Sequence, residues 1–88
     1  MDIQKEIKRT ERRIKFNLCK MKEQVQRIKR HVPKVEALLG CDGGEMFYTA
    51  RVHVNLINSA VEEYNRIYLE TGELNVKLSR LRLKLAAA

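Results

Sequence analysis

Apolar residues in this chain recur at steps of three and four, and that spacing restricts it to helices that pack along a seam. In the first half they fall at Ile3, Ile7, Ile14, Leu18, Met21, Val25, Ile28, Val32, Val35 and Leu39, with Thr10 filling one place. The steps run 4, 3, 4, 4, 3, 4, 3, 4, 3, 4, a heptad pattern with one irregularity near Ile14 and Leu18. A strand, with its period of two, cannot generate such a series. The second half repeats it through Phe47, Ala50, Val54, Ile57, Val61, Tyr64, Tyr68 and Thr71, then Leu74, Leu78 and Leu81. Here the phase slips once, around Thr71 and Gly72, where a glycine also weakens the helix.

Between the two runs lies Leu39-Gly40-Cys41-Asp42-Gly43-Gly44-Glu45. Gly40 suits the left-handed residue that ends many helices, and Asp42 with Glu45 has the spacing of a capping box. One helix therefore stops and another starts within a few residues, which makes them antiparallel neighbours. The expected fold is all-α: an antiparallel, coiled-coil-like two-helix hairpin with helix one over residues 2–39, a turn at 40–44 and helix two over 45–83. Each arm is expected to be roughly 55–60 Å long. Pro33 lacks an amide proton and clashes with the preceding turn, so the first helix is expected to kink near Lys29–Val32. The stretch Arg51-Val52-His53-Val54-Asn55-Leu56 alternates as an edge strand would, but the helical period through Ile57–Tyr68 outweighs it. The tail Lys84-Leu85-Ala86-Ala87-Ala88 resembles a vector-encoded linker and is read as a cloning scar.

A chain of 88 residues forms one domain and buries little of its surface. Cys19 and Cys41 are its only cysteines, without the spacing of a metal site or a disulfide framework, which points to an intracellular, reducing setting. No apolar run has the length of a membrane span.

Catalytic patterns are missing from the sequence. His31 and His53 sit in different helices, away from any ordered cysteine or carboxylate partner, and pairing His31 with Cys41 would leave neither residue oriented. Glu62 and Glu63 point about 100° apart on a helix and do not form a dyad. Gly40–Gly44 lacks the lysine of a phosphate-binding loop, and no cofactor, metal or small-molecule site is expected.

Charge is more informative. Residues 1–39 carry twelve Lys or Arg against five Asp or Glu, whereas residues 40–83 carry five against six. With Ile7 and later Leu18 on the seam, Lys5, Lys8, Arg9, Arg12, Lys15, Lys20, Arg27, Arg30 and Lys34 form an outward cationic stripe. Glu6, Glu11 and Glu36 fall beside the seam, where they can pair across to helix two. Such a stripe suits solvent, an acidic protein, nucleic acid or an anionic membrane surface, although it has no aromatic interleaving for bases.

A second surface is apolar. Tyr48, Val52, Leu56, Ile67 and Leu69 on helix two, and Phe16 on helix one, lie outside the seam. Helices apolar on more than one face are buried on more than one face, so these residues imply another chain. The expected function is a non-catalytic protein–protein assembly module, a scaffold completing a helical bundle as a homodimer or hetero-complex. The alternatives are a basic nucleic-acid-binding hairpin and a small helical chaperone for an assembling or secreted client.

Overall fold

The computed structural model describes the backbone of residues 2–39 and 44–88 and the side chains of 2–38 and 48–88. Two helices, α1 (Ile3–Leu39) and α2 (Gly44–Ala87), form an antiparallel hairpin, with no strand among the described residues. It is a rod of 68 × 16 × 14 Å. The long dimension exceeds the expected arm because α2 runs on through residues 84–87. Asp2 caps α1, its Oδ1 accepting a hydrogen bond from the Gln4 amide at 3.0 Å. Pro33 lies inside α1, which continues through it to Leu39, so no separate third helix forms. The alternating stretch from Arg51 to Leu56 is helical, and Gly44 opens α2. The left-handed residue expected at Gly40 and the capping box of Asp42 and Glu45 lie outside the described residues.

The register follows from contacts between the helices. His31 faces His53, Arg13 faces Glu70 and Glu6 faces Lys77. The seam of α1 is Ile3, Ile7, Thr10, Ile14, Asn17, Met21, Gln24, Ile28, His31, Val35 and Leu38, all buried or half-buried. On α2 it is Ala50, His53, Ile57, Ala60, Tyr64, Ile67, Thr71, Leu74, Leu78 and Leu81. Both series step by three and four without a break, so neither expected irregularity exists.

This corrects the sequence-derived seam at seven places, always by one residue. Asn17, Gln24, His31 and Leu38 take the seam positions for which apolar spacing predicts Leu18, Val25, Val32 and Leu39; His53, Ala60 and Ile67 take those for which it predicts Val54, Val61 and Tyr68. The reason lies at the open end of the hairpin. There Ile7, Leu78 and Leu81 form the apolar cluster, with Ile3 and Ile14 packed against it. Rotating the helices to bury the other column would bring Gln4, Glu11, Asn75 and Arg82 inward in place of Ile3, Thr10, Leu74 and Leu81. A continuous heptad seam keeps one phase along its length, and the cost of burying those polar and charged groups opposes the alternative phase.

Polar seam positions are accommodated locally. The Thr10 hydroxyl donates to the Glu6 carbonyl at 2.8 Å and the Thr71 hydroxyl to the Ile67 carbonyl at 2.8 Å, each within its own helix. Gln24 accepts from the half-buried Arg27 guanidinium at 2.9 Å.

Candidate functional site

The hairpin has two flanks beside its seam, and they differ in chemistry. One is charged. Arg13 Nε donates to Glu70 Oε1 at 3.0 Å, and Lys77 Nζ lies 3.4 Å from Glu6 Oε1. Glu63 on the same flank holds Arg66 through two hydrogen bonds, Nε to Oε2 at 3.1 Å and Nη2 to Oε1. The hydrogen bond from Arg13 keeps the Glu70 carboxyl below its ordinary pKa, and Arg66 does the same for Glu63. Glu6 thus pairs across to α2 on this flank as expected, and Glu11 pairs across on the opposite flank, with Arg82 at 3.6 Å. Glu36 is exposed on α1.

A shallow groove of about 240 Å³ runs along this charged flank past Arg13, Phe16, Asn17, Lys20, Glu63 and Glu70. Asn17 is buried to 2 % exposure, and its amide nitrogen makes no full hydrogen bond, although the amide lies near enough to Glu70 to favour the charged carboxylate. Such a residue costs stability but penalises wrong registers.

The residues singled out as a partner-binding ridge do not form one surface. Ile67 is 4 % exposed and packed within the hairpin, because the true seam phase places it there. Phe16 is half-exposed on the charged side, with Arg13 and Lys20 over its ring at 5.2 and 5.4 Å from the centroid. These cations lower the cost of leaving the ring in water. Tyr48 and Val52 line a shallow patch with Arg51 and Asn55 near the turn end. Leu56 and Leu69 are exposed on separate parts of α2.

The cationic stripe also divides. Lys5, Lys8, Arg9, Arg12, Lys15, Arg30 and Lys34 are exposed, whereas Lys20 and Arg27 turn toward the charged flank and are half-buried. Lys20 Nζ lies 3.4 Å from Glu23 Oε2. Taking Leu18 for a seam residue, one place out of phase, is what misplaces them. The same error hides a regular column, Lys8, Lys15, Lys22 and Lys29, all exposed and seven residues apart.

Near the turn, His31 Nδ1 and His53 Nδ1 are 2.9 Å apart across the hairpin. Burial lowers the His31 pKa, and His53, Lys34, Arg30 and Arg27 lower it further by repulsion. Among the described residues no group of three or more His, Cys, Asp and Glu could hold a metal ion, and no helix is long and apolar enough to cross a membrane. Cys19 is an exposed free thiol.

Neither a protein-family model, nor a curated protein, nor a solved structure matches the chain.

Proposed function

We propose that the chain is a non-catalytic, intracellular assembly module whose helical hairpin joins a larger helical bundle with another protein. One observation carries this reading: both helices leave large apolar side chains that they do not cover for each other. Leu18 is 53 % exposed and Tyr68 60 % exposed, and the partly exposed Val32, Val54 and Val61 share their spacing. An isolated two-helix rod has a thin core, so a surface of this kind gains substantial stability when a further helix covers it.

A second reading draws on Lys5, Lys8, Arg9, Arg12 and Lys15, exposed along the N-terminal half of α1. That density of cations suits phosphate neutralisation by a nucleic-acid-binding hairpin. Two measurements separate the readings. Light scattering reports the mass of the chain alone and mixed with amphipathic helical peptides. A salt titration reports its affinity for an arbitrary duplex DNA. Assembly predicts peptide association that survives physiological salt, with duplex binding lost there. Duplex binding that persists at physiological salt, without protein association, replaces the assembly reading.

A further inference from the structure

Part of the apolar surface that the two helices leave uncovered is arranged in pairs on one flank. Leu18, Val25 and Val32 each follow a seam residue of α1, namely Asn17, Gln24 and His31; Val54, Val61 and Tyr68 follow the seam residues His53, Ala60 and Ile67 of α2. Antiparallel helices turn in mirror senses when viewed end-on, so residues one step past these equivalent positions point to the same side. Glu11 and Arg82, which follow Thr10 and Leu81, mark that side by pairing across it at 3.6 Å.

With His31 opposite His53, the register sets Val32 beside Val54, Val25 beside Val61 and Leu18 beside Tyr68. These are three apolar rungs, about 10 Å apart along the rod. Val25 is half-buried; the other five are at least 36 % exposed. The next column outward on α1 is the exposed Lys15, Lys22 and Lys29, continued at the turn end by Glu36, and on α2 it is Asn58, Asn65 and Gly72, continued at the turn end by Arg51. A side chain built on Gly72 would meet nothing within 4 Å. The result is a groove with an apolar floor, a basic wall along Lys15, Lys22 and Lys29 and an uncharged wall along Asn58, Asn65 and Gly72, with Glu36 and Arg51 at its turn end.

We infer that this groove receives an amphipathic helix of a different protein, one whose apolar stripe is edged by Asp or Glu on the side facing α1. The inference deepens the assembly reading and rests on it. Charge complementarity selects the occupant. Lys15, Lys22 and Lys29 are exposed along one wall, and Glu11, the acid on the groove's own flank beside Lys15, is engaged with Arg82. A second copy, itself carrying a net charge of +7, would place another lysine column or the uncharged Asn58–Asn65 column against that wall. An acidic-edged helix answers the lysines and covers the rungs at the same time.

The test uses the full chain and two synthetic helical peptides of about 21 residues, each with leucine at heptad seam positions. One carries Glu at the flanking positions and the other Lys. At physiological salt the Glu-edged peptide is expected to bind about tenfold or more tightly than its Lys-edged twin. The variant K15E/K22E/K29E should reverse that preference, and Leu18→Ser with Val61→Ser should abolish binding of both, with helicity retained by circular dichroism. The variant K5E/R9E/R12E changes the total charge equally on the outer surface and should leave the preference in place. Equal loss in the outer-surface variant would reduce the effect to bulk charge attraction and overturn the inference. A chain that dimerises through Leu18 and Val61 and ignores both peptides would assign the groove to a second copy, leaving the assembly reading intact. A monomer that binds neither peptide would remove both.

Discussion

His31 and His53 meet ring to ring across the hairpin, with their Nδ1 atoms 2.9 Å apart and centroids separated by 5.1 Å. One nitrogen has to carry the hydrogen while the other offers a lone pair, so two charged rings cannot keep the contact. Burial, His53 and the neighbouring cations Lys34, Arg30 and Arg27 hold the His31 pKa below its ordinary value of 6.5. The unfolded chain therefore binds protons more readily than the folded one as pH falls. Stability is full above the unfolded value and declines as pH drops through it toward the folded pKa. The melting temperature is expected to fall between about pH 7.5 and 5.5, and His31→Phe, which removes the group whose pKa is lowered, should flatten that dependence. Glu63 and Glu70, whose pKa values are lowered from 4.5, contribute in a separate, more acidic window.

Substitutions at seam and flank positions of α2 should behave very differently. Ile67 is 4 % exposed and Val61 is 40 % exposed. Ile67→Ala is expected to cost about 2–5 kcal/mol, enough to threaten folding of so small a domain. Val61→Ala should cost well under that, within about 1 kcal/mol, and should instead weaken binding in the groove. Urea denaturation followed by circular dichroism reads both changes, and equal losses would contradict the seam assignment.

Asn17 should be a site where stability can be raised. Its side chain is buried opposite Ile67 in the seam register, with an amide nitrogen that lacks a full hydrogen bond. Asn17→Leu removes a poorly satisfied donor and adds apolar contact, and is expected to stabilise the hairpin by about 1–2 kcal/mol in denaturant titrations. The same change should relax the preference for one register, visible as broader amide resonances in solution spectra.

Gly72 offers a cleaner stabilising change. It lies inside α2, and an added Cβ would meet open space. Gly72→Ala should raise stability by about 0.5–1 kcal/mol through helix propensity alone. Thermal melting checks this, and no change in groove binding is expected from so small a side chain.

Much of the architecture is legible in the order of the residues. The heptad steps of Ile7, Ile14, Met21 and Ile28 and of Ile57, Tyr64, Thr71 and Leu78 require helices, and the glycines between the runs require a turn. Their spacing from the seam also puts Glu6 and Glu11 where they do reach α2. The candidate site is less legible. Phe16, Val52, Leu56 and Ile67 share only that each is apolar and off the expected seam, and they occupy different surroundings in the hairpin. The lysine column at residues 8, 15, 22 and 29 is regular in spacing but becomes a wall only once the rotation of α1 is fixed.

Residue order therefore fixes the type and pairing of the two helices, whereas their rotation is fixed by packing along the rod. Steps of three and four serve Asn17 as well as Leu18 between Ile14 and Met21, and Ile67 as well as Tyr68 between Tyr64 and Thr71. Successive residues point about 100° apart on a helix, so local spacing cannot choose between them. The choice is made collectively along the rod, where Ile3, Ile7, Leu78 and Leu81 are buried together at the open end. That end sets one rotation for both helices, seats Asn17, Gln24 and the histidines inside, and turns Leu18, Val61 and Tyr68 outward along a single flank.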